Sequence, residues 1–133
     1  MSAKKVKNNH YTDIVICRLC HSKKLKEDAL KKGYKVKCLV RKNSNISNLK
    51  NTEIIYGDIL DKTSLEKAVK DPDVIFHLVG IGVITPTSKK TYEIFSEINV
   101  QGTRNLLEVS KNKKIKKFIY FSSIAALGVI NGV

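Results

Sequence analysis

Residues 73–80 read "DVIFHLVG", a nearly continuous apolar run that His77 interrupts. A run of this kind is typical of a strand that is buried on both faces of a parallel sheet. We interpret His77 as a core histidine with satisfied hydrogen bonds rather than as a metal ligand. Because parallel strands need crossover connections, this stretch predicts helices before and after it in the chain.

Strand and helix patterns alternate on both sides of that stretch. Such alternation indicates parallel strands joined by right-handed crossovers. We therefore predict an α/β fold with a doubly wound, Rossmann-like parallel sheet of about five strands, whose ligands bind at the carboxyl ends of the strands. Apolar runs predict the strands and helical spacing predicts the helices: strands at 13–17, 34–40, 52–57, 73–80 and 116–123, and helices at 23–33, 63–70 and 92–112.

The composition indicates one modest globular domain. The chain has 133 residues, of which 42% are hydrophobic and 28% charged, and we expect a basic tail at 1–12 followed by one domain at 13–133. The first dozen residues lack the apolar core of a signal peptide, and the 16 residues at 118–133, interrupted by serines and an asparagine, are too short to cross a bilayer. We expect a cytoplasmic protein that does not bind membranes, with reduced cysteines.

The net charge of +13 raises a nucleic-acid-associated module as an alternative, with "KNKKIKK" (111–117) as its dense basic run. The other lysines are scattered over every predicted helix and loop, and only three basic residues are arginines. Arginine is the side chain suited to bidentate contacts with phosphates or bases. The charge pattern therefore argues for a solvated basic surface and against specific nucleic-acid recognition.

Five segments follow one another in a familiar order: "LKKGYKVKCLVR" (30–41), "YGDILD" (56–61), "DVIFHLVG" (73–80), "INVQGTRNLLE" (98–108) and "KKFIYFSSIAALG" (116–128). Together they resemble the amino-terminal half of the extended short-chain dehydrogenases/reductases, a family of NAD(P)-dependent epimerases, dehydratases and reductases. The resemblance implies a dinucleotide cofactor and hydride transfer at a hydroxyl or carbonyl carbon of a sugar nucleotide or similar small molecule.

The resemblance also implies roles for individual residues. Ser123 corresponds to the catalytic serine, which would hydrogen-bond the substrate oxygen where charge develops. Asn99 would orient backbone and water near the nicotinamide, and Asp58 would accept a hydrogen bond from an adenine amine unless it is simply a turn residue. Arg41, at the end of the second strand, favours a 2′-phosphate and hence NADP over NAD. The implied cofactor contacts are Arg41, Asp58, Ile59, Leu78, Val79, Gly80, Asn99 and Ser122.

Two glycines have spatial roles in the same comparison. Gly80 would leave room for a ligand to approach the backbone, or would simply end the fourth strand. Gly102 would permit a helix to pack closely. The resemblance implies no metal site.

The chain departs from the family at its phosphate-binding loop. The glycines of the family's G-x-x-G-x-x-G would fall at Ile16, Leu19 and Ser22, and no glycine precedes Gly33. "CRLCH" (17–21) occupies this position instead. Its C-x-x-C-H spacing is that of covalent haem attachment, a redox dithiol or part of a zinc site. We interpret the pentapeptide as a chance product rather than as any of these sites, and a shifted or replaced reading frame upstream of about Ser22 would explain why the resemblance begins there.

The family's Tyr-x-x-x-Lys pair, which supplies the general acid/base, is also missing, because none of the five tyrosines is followed four residues later by lysine. The chain ends 10 residues after Ser123, so we expect an incomplete sheet and no substrate domain. The expected protein is a truncated, inactive fragment that associates with a missing carboxyl-terminal half or forms a homo-oligomer. An atypical family member with a non-catalytic binding or regulatory role is the alternative.

Overall fold

The computed structural model describes residues 13–16, 23–81 and 87–122, and for 13–16 it describes the backbone. Within these ranges, five parallel strands form one sheet in the order β3-β2-β1-β4-β5. The order reverses direction between β1 and β4, which confirms the predicted doubly wound sheet. The strands are β1 (Asp13–Ile16), β2 (Lys35–Val40), β3 (Glu53–Tyr56), β4 (Val74–His77) and β5 (Lys117–Tyr120).

Short polar side chains and one glycine set the ends of the helices. The Asp61 carboxylate accepts the Thr63 N–H at 3.0 Å, and the Ser88 hydroxyl accepts the Thr91 N–H at 3.2 Å, so both residues act as N-caps. Gly33 follows the first helix with φ of +81°, the left-handed stop that glycine allows. The helices are α1 (Lys23–Lys31), α2 (Lys62–Ala68), α3 (Lys89–Phe95), a π-helical segment (Ser96–Gln101) and α4 (Gly102–Ser110).

The sheet has an apolar core on each face. Successive strand residues point to opposite faces, and β2 shows this directly. Val36, Cys38 and Val40 join a buried cluster with Ala29 of α1. Leu39 joins a second cluster that contains side chains of α2, β4 and α4, and its fully buried members are Leu65, Val69, Ile75 and Leu106. Helix α1 therefore covers one face, and α2 and α4 cover the other.

The boundaries of the elements differ from the predicted ones around the site. The predicted strands 73–80 and 116–123 are both shorter than expected, because their last paired residues are His77 and Tyr120. The predicted helix 92–112 begins earlier, at Lys89, and widens into the π-helical segment, where the Gly102 N–H bonds the Glu97 carbonyl. In the described ranges no helix is long and apolar enough to cross a bilayer.

Candidate dinucleotide site

The candidate site lies at the carboxyl ends of the strands. In the order of the strands, β2 lies next to β1 in one direction, whereas β5 lies next to β4 in the opposite direction. Crossovers that diverge in this way open a crevice between β1 and β4, which is the usual ligand site of an open parallel sheet. We call the residues that directly follow a strand its exit. The exit of β1 is residues 17–22, with "CRLCH", which lie outside the described residues.

The exit of β3 is a turn built on Asp58. The Asp58 N–H donates to the Ser64 hydroxyl at 3.0 Å, and the Asp58 carboxylate accepts the Leu60 N–H at 2.9 Å. Gly57 precedes this turn, and a Cβ atom there would lie 2.7 Å from the Ser64 hydroxyl oxygen. The interpretation of Asp58 as a turn residue is therefore confirmed. Its contact with an adenine amine stays a prediction.

The exit of β4 is held by Asn99 of the π-helical segment. The Asn99 side-chain oxygen accepts the Ile81 N–H at 2.8 Å, and its amide nitrogen donates to the Ile81 carbonyl at 2.8 Å. A Cβ atom at Gly80 would lie 3.4 Å from the same Asn99 oxygen. This distance is an ordinary van der Waals contact, so Asn99 does not require glycine at position 80. Whether Gly80 faces a ligand stays a prediction.

His77, the last residue of β4, connects this strand to the same helical region. Its side chain is fully buried, with Nε2 2.7 Å from the Thr103 hydroxyl. The ring stacks on Tyr120 with centroids 5.0 Å apart. Burial lowers the pKa of His77 from 6.5 to about 4, because a charged imidazolium would lose its hydration there.

The prediction that His77 is a core residue is confirmed, but the prediction that its hydrogen bonds are satisfied is wrong for Nδ1, which is buried without a partner. The ring packs between strand and helix, where only one nitrogen meets a polar group. The described residues contain no cluster of three or more potential metal ligands.

Helix α4 packs tightly against the β3 exit. A Cβ atom at Gly102 would lie 2.8 Å from Cγ1 of Ile59, which confirms that this glycine permits close packing. The Asn105 side chain donates to the Ile59 carbonyl at 3.2 Å and is itself buried. The Gln101 amide in turn donates to the Asn105 side-chain oxygen at 2.8 Å. One helical region therefore holds the exits of both β3 and β4.

The remaining predicted contacts occupy the other exits. Arg41 is exposed directly after β2. Leu78 and Val79 follow β4, and their side chains pack against the two opposite core clusters, so the backbone between them is held from both faces. Ser122 is exposed after β5. Ser123, the predicted catalytic serine, lies outside the described residues.

Comparisons with known proteins agree with this geometry. A model of the NAD dependent epimerase/dehydratase family matches residues 22–132. The chain belongs to this family. The match begins at Ser22, directly after "CRLCH", and so includes every described exit of the sheet.

Relatives in the epimerase/dehydratase family differ in what their names say they act on. The UDP-N-acetyl-alpha-D-glucosaminuronate decarboxylase of Bacillus cytotoxicus is 40% identical over 78 residues, which cover 59% of this chain and 24% of that protein. The sterol demethylase protein B of Methylococcus capsulatus is 28% identical over 102 residues, covering 75% of this chain and 30% of that protein.

A solved structure shows the same fold with ligands. The UDP-glucuronic acid 4-epimerase of Bacillus cereus, in complex with UDP-glucuronic acid and NAD, matches with a TM-score of 0.74 at 27% identity. The match covers 91% of this chain and 43% of that one. The chain therefore spans less than half the length of each of these three relatives.

The structure brings the predicted residues together unevenly. Asn99 binds the backbone of Ile81, directly after Gly80. Arg41 and Asp58 follow neighbouring strands on the other side of β1. Sequence reasoning missed Asn105 and Thr103. The sequence carried only a weak signal for Asn105, which is a polar residue one position before Leu106 on the helical face that packs against the sheet.

Proposed function

We propose that this chain binds NAD or NADP across the strand exits, as the dinucleotide-binding part of an epimerase, dehydratase or reductase. The strongest support is the pair of hydrogen bonds between the Asn99 side chain and the Ile81 backbone, beside the β1–β4 crevice. These bonds fix the backbone at the place where a ligand of this type of sheet binds. The described exits fit such a ligand. Leu78 and Val79 turn their side chains into the two cores, which leaves their backbone at the crevice.

The phosphate loop is the part that fits less well. No glycine precedes Gly33, so this loop lacks the residue type that lets backbone N–H groups approach a diphosphate closely. We therefore expect weaker binding than a glycine-rich loop provides.

Within this proposal the residues divide the ligand between them. Asp58 accepts a hydrogen bond from the adenine amine, and the Ile59 backbone lies beside the same ring. Arg41 pairs with a 2′-phosphate, which favours NADP. Ser122 lies against the nicotinamide, and Ser123 hydrogen-bonds the substrate oxygen. The bound cofactor supplies or accepts the hydride.

The proposed substrate class is a sugar nucleotide. The relatives from both Bacillus species are named for UDP-linked sugars, and the net charge of +13 attracts an anionic diphosphate. Turnover needs a general acid/base that none of the tyrosines of this chain is spaced to provide. We therefore propose that the chain alone binds cofactor without catalysing hydride transfer, and that further sequence or a partner chain completes the site.

Fluorescence titration with NADPH and NADH tests the proposal on the purified chain. Arg41→Gln should raise the Kd for NADPH roughly ten- to a hundredfold, because a charge-assisted hydrogen bond contributes about 1.5–3 kcal/mol, and should leave the Kd for NADH nearly unchanged. The matched control is Lys42→Gln, which removes a neighbouring exposed charge. Equal losses in both variants would contradict the role of Arg41. Salt-sensitive retention on DNA with no response to either dinucleotide would instead favour the nucleic-acid alternative.

A further inference from the structure

A closed ring of hydrogen bonds surrounds the exit of β4. His77 Nε2 lies 2.7 Å from the Thr103 hydroxyl, which donates to the Asn99 carbonyl at 2.7 Å. The Asn99 side chain then makes two hydrogen bonds of 2.8 Å with the backbone of Ile81. The chain from 77 to 81 closes the ring. The intervening residues 78–80 are thus tied at both ends to one helical region.

The direction of each hydrogen bond follows from the number of protons. A threonine hydroxyl has one proton, and the Asn99 carbonyl can only accept, so the Thr103 proton is directed to Asn99. Thr103 must then accept from His77, which places the imidazole proton on Nε2. In the neutral ring Nδ1 then carries the lone pair, and it has no hydrogen-bond partner. The neutral Nε2–H tautomer of His77 is therefore built into the ring.

We propose that His77 and Thr103 are positioning residues, which act through Asn99 to hold the backbone of residues 78–81 in the conformation that receives the dinucleotide. This inference rests on the proposed function for its ligand, but the ring itself can be tested without any ligand. The two residues do not touch the cofactor. Their effect is transmitted by the Asn99 carbonyl, which Thr103 binds, to the Asn99 side chain, which binds Ile81.

The experiment compares amide hydrogen exchange and NADH binding in three forms of the full chain. Thr103→Val removes the hydroxyl at nearly constant volume. Thr103→Ser keeps it. Ser110→Ala is the matched control, because the Ser110 hydroxyl also donates to the carbonyl four residues earlier, at 2.6 Å, but at the far end of α4.

In Thr103→Val, exchange of the Ile81 amide should accelerate about tenfold or more, since each tenfold corresponds to roughly 1.4 kcal/mol of local opening. Exchange of the Gly57 amide, which bonds the Val40 carbonyl at 2.9 Å, should stay within about twofold. Thr103→Ser and Ser110→Ala should leave Ile81 exchange near the wild-type rate. The Kd for NADH should rise in Thr103→Val only.

Several outcomes would overturn the inference. One is unchanged Ile81 exchange in Thr103→Val, and another is Thr103→Ser behaving like Thr103→Val. If Thr103→Val does not fold, a histidine ¹⁵N spectrum of the wild type still tests the ring. A His77 proton on Nδ1 instead of Nε2 would contradict it. If the wild type binds no NADH but its Ile81 amide behaves as expected, the proposed function fails while the ring stands.

Discussion

Lowering the pH from about 7 to about 5 should destabilise the fold through the buried imidazole of His77. Burial lowers its pKa from 6.5 to about 4, so between these values the unfolded chain takes up a proton that the folded chain excludes. The free energy of unfolding therefore falls as the pH drops below 6.5, and the loss is complete below about 4. At pH 5, about 1.5 pH units below the unfolded value, the loss is about 2 kcal/mol at roughly 1.36 kcal/mol per unit.

Urea unfolding at several pH values, in wild type and His77→Gln, measures this loss. Glutamine can place an amide nitrogen near the position of Nε2 and does not titrate, so the variant keeps a donor towards Thr103. Carboxylates and the other two histidines are present in both proteins, so their contributions cancel in the difference. Wild type should lose about 2 kcal/mol more than the variant between pH 7 and pH 5. Parallel pH dependence of the two proteins would refute the claim that His77 is buried and neutral.

Three further changes test the packing around the site. Gly102→Ala should lower the free energy of unfolding in urea by about 1–3 kcal/mol, because the added Cβ would lie 2.8 Å from Ile59. A smaller loss of stability in an Ile59→Ala background would identify that contact as the cause, and an equal loss would exclude it. Asp61→Ala should cost about 1 kcal/mol by loss of the α2 N-cap, whereas Asp61→Asn should cost little in the same thermal melts. Burial raises the pKa of the Cys38 thiol. In a variant that keeps Cys38 as its only cysteine, iodoacetamide at pH 8 should therefore label the thiol much more slowly in buffer than in urea. Equal labelling rates would show that the thiol is accessible in the folded chain.

The fold class could be predicted because it depends on patterns that are local in the sequence. The apolar run at 73–80 and the alternation around it indicate strands buried on two faces, and the two core clusters confirm this. The end of β4 could not be predicted in the same way. The last paired residues are His77 and Tyr120. The apolar run continues beyond them because the side chains of Leu78 and Val79 pack against the two cores.

The candidate site was less accessible to sequence reasoning, because its contacts join residues that are far apart in the chain. Asn99 binds Ile81, 18 residues earlier, and Asn105 binds the Ile59 carbonyl, 46 residues earlier. The family resemblance pointed to Asn99 but not to its partner. The π-helical segment, in which the Gly102 N–H bonds the Glu97 carbonyl, was predicted as part of an ordinary helix.

One continuous helical region carries contacts to two different parts of the crevice. Gly102 and Asn105 meet Ile59 beyond β3, while Asn99, one turn earlier, grips Ile81 beyond β4. The two exits therefore share one support, so a rigid-body shift of this helical region would displace the backbone beyond β3 and beyond β4 together.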